Sequence, residues 1–560
     1  MAWVHFVVGA GAALLLACEA PHVARPRGSG STSLVLIHTA DLHSHLYPER
    51  QLIGVADAAR GLGTAGDIVE VGGFARLAQV VRDIRAGTSH SLYLDSGDLV
   101  EGTAAFTEFG GEPELRAFSA LGLGAAALGN HDLSPGAEGF VRTHREFAGF
   151  PVLASNFAEN GSELATALTE SVVLDAGGIS VGVIGVANPS SPNGLEHADN
   201  PYGVELLATT NAVQAEIDHL RMQVDLLIAL SHLGLEGDQR LIGGTTGLDV
   251  VLGGHQHLAL EAAQERMDCG ASLRAERGCR ARPVVLVHSG ALGHYVGELD
   301  LRLTPSVDTN GGDRAGSFTV ASAQHSLIPI SAEVREDPAL AELLEPYRAR
   351  LSAAGYDAPS AFALGLVERS AQNGGDSALG DLITDAIRER SLADFALLNT
   401  TGIRADLPPG PLTRAMFAAV LPFADSLTVL TLSGTQLHTL FNQQARVASE
   451  RKCQTPIQTS GLTVEFRCSG STSSALVRRA GSERELQPDR TYTLVTSAYL
   501  ADGGSGFDLL TEAKARRTLE LDPLGVLLDA VSTLPSCPKS SLPCLDPSAL
   551  RDGRIALHSG

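Results

Sequence analysis

The chain has 560 residues, 44% of them hydrophobic, more than one core requires at the roughly 150 residues typical of a domain, so two or three domains are expected. Lys and Arg number 41 against 64 Asp and Glu, a net charge of −23. That field repels polyanions over any extended surface and excludes a nucleic acid polymer as partner. A small anion at a metal remains allowed, because a bound dication is the largest local charge in its site.

Residues 1–17 are apolar, and Leu15-Leu16-Ala17-Cys18 is similar to a bacterial lipoprotein cleavage site, with Cys18 as the lipid-bearing first residue of the mature chain. The apolar run falls short of the about 20 residues that span a bilayer and takes no part in the fold. An exported protein, periplasmic or anchored at a membrane surface through the lipid on Cys18 alone, is expected. A simple cleaved signal or a misassigned start is the plainer alternative. Gly, Ser and Pro make residues 18–33 a flexible tether.

Short apolar runs then alternate with helix-like stretches such as 74–85, the pattern of an α/β domain over residues 34–330. The runs at 34–37, 91–94, 225–230 and 250–252 each read as a buried strand, and each is followed by metal-binding side chains. The segments are Asp41-Leu42-His43, Ser96-Gly97-Asp98, Gly129-Asn130-His131-Asp132, Ser231-His232 and Gly254-His255-Gln256-His257. One Asp-x-His is a weak signal, but five such segments beyond strand ends read as a two-metal phosphoesterase site. Imidazole and carboxylate together suit Zn²⁺, Mn²⁺, Co²⁺ or Fe²⁺. Two such ions can hold a bridging hydroxide for in-line attack on phosphorus. Asp98 is expected to bridge them, with Gly97 allowing close approach. His38, His45 and Asp95 read as structural hydrogen-bonding groups, and His288 and His294 as residues lining or backing the site.

Residues 331–356 contain a helical pattern over 338–354, read as a connecting helix, and a second unit occupies 357–555. A helix is expected near 379–390, with strands near 395–398 and 427–432. The Pro/Ser-rich end, 532–560, is expected to pack only through a disulfide. Six cysteines besides Cys18 suit disulfides in an oxidising compartment, with the sequence neighbours Cys269/Cys279, Cys453/Cys468 and Cys537/Cys544 preferred.

The ordered motifs resemble the calcineurin-like metallophosphoesterases. With the second unit included, the chain resembles the exported 5′-nucleotidase/UDP-sugar hydrolase family over nearly all its mature length. The resemblance implies an N-terminal four-layer β-sandwich flanked by helices, a connecting helix and a C-terminal α+β substrate-binding domain. It places Asp41, His43, Asp98 and His257 on one metal and Asp98, Asn130, His232 and His255 on the other. His131 becomes the catalytic histidine. Family members read Gly-Asn-His-Glu-Phe-Asp there, and Ser134 stands where the orienting Asp belongs. A hydroxyl cannot stabilise an imidazolium as a carboxylate does, so a weakened dyad is expected, with Asp132 or Glu138 as substitute carboxylates.

In the second unit, Asn399-Thr400-Thr401-Gly402-Ile403-Arg404 resembles the family's Asn-Gly-Gly-Gly-Ile-Arg loop. Phe423 and Phe507 match its two aromatics, between which a base would gain about 1–3 kcal/mol by stacking. Asn399 would bond the base and Arg404 fork onto a phosphate. Arg369 is the nearest match to a further family arginine. The implied activity is removal of phosphate from nucleoside 5′-monophosphates or related nucleotides. The alternatives are hydrolysis of UDP-sugars, cyclic nucleotides or sulfur esters, and a non-catalytic nucleotide-binding surface lipoprotein.

Overall fold

The first strand, Thr32–Thr39, sets the layout of the N-terminal half, because alternate side chains of a strand point opposite ways. Leu34 and Leu36 enter a core shared with Leu226, Ile228, Leu230 and Leu252, whereas Val35 and Ile37 pack with Phe74, Leu77 and Phe118. The same switch recurs at Leu226–Ser231, where Leu227 and Ala229 turn outward onto Val213, Ile217 and Leu241. Two sheets thus face each other, each with helices behind it. This is the four-layer α/β sandwich that the motifs implied.

In this computed structural model the described residues are 31–158, 162–189, 202–306, 318–371, 373–423, 425–538 and 540–559. The export segment and Cys18 lie outside them. A seven-stranded sheet holds Thr32–Thr39 between Tyr295–Pro305 and Ser91–Asp95. A six-stranded sheet holds Leu226–Ser231 between Val250–Gly253 and Ser180–Val186. These neighbours end level. Thr39 lies beside Asp95 in a parallel pair, and Ser231 beside Gly253, so the loops that follow emerge from one rim.

The helix Pro338–Ala353 links the halves, and its N-cap Asp337 accepts the Leu340 N–H at 2.9 Å. Beyond it, Phe395–Asn399 and Leu427–Ser433 belong to a five-stranded sheet covered by Ala378–Ser391 and Gly434–Glu450. The halves touch directly: Tyr356 donates to Glu108 at 2.9 Å, and Arg50 to the Pro411 carbonyl at 3.1 Å.

One expectation is corrected at the C-terminus. Cys544–Leu545 pairs with the strand at Phe362, and Ile555–Ser559 adds a parallel strand to Leu462–Cys468. Leu545 and Ile555 are core residues, and the Arg554 guanidinium reaches Asp385 at 2.8 Å and Asp381 at 3.3 Å. Burial and ionic pairing, rather than a disulfide alone, hold this segment.

All three disulfides join the preferred partners: Cys269–Cys279, Cys453–Cys468 and Cys537–Cys544. Cys453–Cys468 closes a separation of 15 residues, for which chain entropy gives about 3 kcal/mol. Replacing both cysteines by serine is expected to lower the stability of the C-terminal unit by that amount, read as the midpoint of its denaturant transition. An unchanged midpoint would show that the bridge contributes nothing. No described helix is long and apolar enough to cross a membrane.

Candidate active site

Each loop that carries candidate ligands begins where a rim strand stops. Asp41 and His43 follow Thr32–Thr39, Asp98 follows Ser91–Asp95, Asn130 and His131 follow Ala125–Ala127, His232 follows Leu226–Ser231, and His255 and His257 follow Val250–Gly253. The turns are so tight that Asp41, His43, Asp98, His255 and His257 take left-handed backbone with φ between 49° and 77°. Asp and His are among the few side chains that adopt it with any frequency. A Cβ on Gly97 would lie 2.7 Å from the Gly129 nitrogen, and one on Gly129 would lie 2.2 Å from the Asp98 nitrogen. Gly97 therefore lets two loops meet.

Overlapping clusters result. Asp41, His43 and His257 bring ligand atoms within 4.8 Å of one another, so do Asp98, His232 and His255, and His43, Asp98 and His131 form a group that joins the two. Asp98 stands between them, with Oδ2 2.9 Å from His232 Nε2 and 3.6 Å from His43 Nε2. His43 Nδ1 lies 2.8 Å from the Glu101 carbonyl and His232 Nδ1 2.6 Å from the Ser96 carbonyl. A carbonyl only accepts, so both rings carry their proton on Nδ1 and turn Nε2 toward the centre.

His232 Nε2 and Asp98 Oδ2 stand 2.9 Å apart, a spacing that calls for a proton or a metal cation between them. Asn130 Oδ1 is buried with no hydrogen-bond partner among the described residues. Burial alone would depress the His232 imidazole, yet the carboxylates of Asp98 and Asp41 push it up to about 10. Burial and His232 push His255 down to about 4, and burial and Arg404 push His257 down to about 3. Those rings are neutral near pH 7, the state in which imidazole ligates a metal. The orphaned amide oxygen, inward lone pairs and buried carboxylates fit divalent metal, and the donor types suit Zn²⁺, Mn²⁺, Fe²⁺ or Co²⁺.

At His131 the structure departs from the sequence reading. Ser134 meets it through the backbone, donating its N–H to the His131 carbonyl at 3.0 Å. Asp132 accepts the N–H groups of Asp98, Leu99 and Gly129 at 3.0, 2.8 and 2.8 Å. Glu138 is exposed on the first turn of Gly136–Phe147. The carboxylate facing the imidazole is Glu101, whose Oε2 lies 2.6 Å from His131 Nδ1. Sequence reasoning missed it. Its signal was its place three residues after Asp98, in a loop already marked by a ligand.

Arg404 and Phe423 reach the same centre from the second unit. Arg404 Nη2 lies 3.4 Å from His43 Nε2, and its guanidinium sits 6.0 Å from the centre of the Phe423 ring. Phe423 stacks on His131 with centroids 5.8 Å apart and planes 18° from parallel. Arg369 Nη1 donates to the Arg404 carbonyl at 2.7 Å, bracing that loop. Asn399 spends its amide on Thr401 Oγ1 at 2.8 Å and Ser505 Oγ at 3.3 Å.

Phe507 does not face Phe423 across a slot. It is 2% exposed and packs with Phe441, Leu500 and Leu510, following left-handed backbone at Ser505 and Gly506. Tyr499 is half-buried, and its hydroxyl accepts the N–H of Ser505, the residue that Asn399 also reaches, at 2.9 Å.

The flanking residues are structural. Asp95 accepts the Gly97 N–H at 2.8 Å, His38 Nε2 meets His325 Nε2 at 3.1 Å, and His45 meets Glu49 at 3.0 Å. His288 pairs with Asp238 at 2.9 Å behind the strand that delivers His232. Burial and His45 push His294 down to about 4.

Residues 34–259 match the calcineurin-like phosphoesterase family and residues 359–512 the 5′-nucleotidase C-terminal domain. The chain is similar to the 5′-nucleotidase of Homo sapiens, 28% identical over 568 residues that cover 95% of this chain and 92% of that protein. It is also similar to that of Bos taurus, 27% identical over 519 residues that cover 86% and 85%. The crystal structure of a 5′-nucleotidase precursor from Thermus thermophilus superposes with a TM-score of 0.78 at 25% identity, covering 94% of this chain and 99% of that one. With the metal-fitting clusters on the first unit and the second unit closing over them, the chain belongs to the 5′-nucleotidase family and is a metal-dependent phosphoester hydrolase.

Proposed function

We propose that this hydrolase is exported and removes phosphate from nucleoside 5′-monophosphates or related nucleotides. Two dications would be held, one by Asp41, His43, Asp98 and His257, the other by Asp98, Asn130, His232 and His255. The observation that carries the substrate class is the convergence of Arg404 and Phe423 on the centre, with Arg404 Nη2 3.4 Å from His43 Nε2. A guanidinium forks onto a phosphate, and an aromatic face accepts a base of any identity.

When bound, the dications supply Lewis acidity and an activated water. The chain's own residues do the rest. Asp98 fixes the spacing of the clusters through contacts to His232 and His43. His131, bonded at Nδ1, presents Nε2 toward the centre as the atom that gives a proton to the leaving oxygen. Arg404 offsets phosphate charge. Phe423 leaves the His131 face to take the base, and the helix Pro338–Ala353 between the units is the hinge for that movement. Three disulfides support an oxidising compartment. Together with the signal-like start they favour the periplasm or a surface anchored through Cys18.

The test uses the mature chain stripped and reloaded with Mn²⁺, Zn²⁺ or Co²⁺, with AMP, UDP-glucose, 2′,3′-cyclic AMP and an aryl phosphate as substrates. Metal-dependent phosphate release from AMP, preferred over the aryl phosphate by roughly tenfold or more in kcat/KM, is the expected result; about 1.4 kcal/mol of base stacking suffices for it. Turnover of the aryl phosphate alone would remove the nucleotide from the proposal. A metal-loaded chain that hydrolyses none of the four would overturn it.

A further inference from the structure

We infer that Glu101 is the positioning residue of His131, and that its side chain fills the role Ser134 cannot; the inference rests on the hydrolase reading above. The contact is short and sheltered. Glu101 Oε2 lies 2.6 Å from His131 Nδ1, and the two side chains are 10% and 13% exposed. Hydrogen bonds with an ionised partner are the stronger class, and water exclusion strengthens them further.

Glu101 acts on two rings at once. Its carbonyl accepts from His43 Nδ1 at 2.8 Å while its carboxylate faces His131 Nδ1. Those two imidazoles meet edge to face, with centroids 4.8 Å apart. One residue therefore sets the direction in which a metal-binding ring and the catalytic ring present Nε2. Phe423 covers a face of His131.

The backbone supports the same assignment. Glu101 has φ 65°, left-handed backbone that costs a glutamate about 1–2 kcal/mol. Gly102 follows it, where a Cβ would lie 2.3 Å from the His43 carbonyl oxygen. Strain of this kind concentrates at functional sites, where the surrounding structure enforces it. Here it aims both polar groups of one residue at histidines. The neighbouring carboxylates are committed elsewhere: Asp132 to four backbone N–H groups, and Asp98 Oδ1 to the His131 N–H at 2.7 Å. The carboxylate of the dyad has thus moved to the loop after Ser91–Asp95, and Ser134 is released from the task.

The experiment measures AMP hydrolysis by the full metal-loaded chain as native protein, Glu101→Gln, His131→Ala and the double variant, with bound metal quantified in each. Glutamine keeps the size and the main-chain carbonyl, so metal content and KM stay within about threefold while kcat falls roughly 10²-fold, the lower end for positioned acid-base catalysis. In the His131→Ala background the same change lowers kcat by less than about twofold, because residues that act as a unit are not additive. In the native protein the His131 Nδ1 proton gives a downfield NMR resonance that Glu101→Ala removes. A Glu101→Gln kcat within about twofold of native, or an equal loss in both backgrounds, would overturn the inference. A native chain that binds metal and turns over nothing yet shows the resonance would instead strike the proposed function and leave the Glu101 contact standing. Absence of the resonance from native protein would strike the contact itself.

Discussion

Asp98→Asn is expected to release metal and to lower turnover by at least about 10³-fold, well beyond the 10–100-fold typical of losing an outer-shell partner. The geometry gives the reason. Asp98 Oδ2 is 2.9 Å from His232 Nε2 and 3.6 Å from His43 Nε2, so one anionic oxygen serves both clusters. Its other oxygen accepts the His131 N–H at 2.7 Å and so fixes the loop that carries His131. Asparagine retains one neutral oxygen and turns an N–H₂ group toward either the clusters or the His131 amide. Although burial opposes it, the histidines around Asp98, with His232 foremost, hold its carboxyl well below the usual range, so an anion is the resident state. Metal content and kcat measured together decide the matter. A variant that keeps both metals and turns over within about tenfold of native would remove Asp98 from the shared position. A non-catalytic binding protein would show no metal-dependent turnover before or after the change.

Arg404→Ala is expected to lower kcat/KM for AMP by about 10²-fold, mostly through KM, while metal content and folding stay native. The side chain crosses from the second unit to His43, 3.4 Å from its Nε2. Its loop does not depend on the guanidinium. The Arg404 N–H donates to the Val420 carbonyl at 2.9 Å, and its own carbonyl accepts from Arg369, both contacts that alanine retains. Arg404→Lys keeps the charge and loses the two-pronged geometry, so it recovers part of the loss. Equal loss on AMP and on inorganic phosphate as a competitive inhibitor would locate the contact on phosphate. An unchanged KM for AMP would remove Arg404 from binding.

The metal centre was legible because its signal is local. An apolar run followed at once by Asp or His states both a buried strand and what emerges from its end, and parallel pairing brings the ends level. The disulfides were legible for a similar reason, since each encloses a short turn-rich loop. Glu101 was not legible, because its pairing with His131 crosses 30 residues and depends on left-handed backbone at a residue type that rarely takes it. Nor was the inward turn of Phe507. A Gly-Ser-Gly loop leaves the ring's direction open, and only packing against Phe441, Leu500 and Leu510 decides it. The C-terminal strands escaped notice because two to five residues carry little periodicity, and their partners at Phe362 and Val464 lie far back in the chain.

The left-handed backbone of the rim loops bears on how long the protein lasts. Besides Asp41, His43, Asp98, His255 and His257, the side-chain-bearing residues with positive φ there include Ser44 and Glu101. Each raises the free energy of the folded chain by about 1–2 kcal/mol. Ligands that bind only the folded state offset such costs by mass action, by about 4 kcal/mol at a free concentration roughly a thousandfold above Kd. Dications bound at the rim would therefore stabilise the folded chain as well as serve its chemistry. Where metal is scarce that offset would be lost, and the rim loops would open more readily.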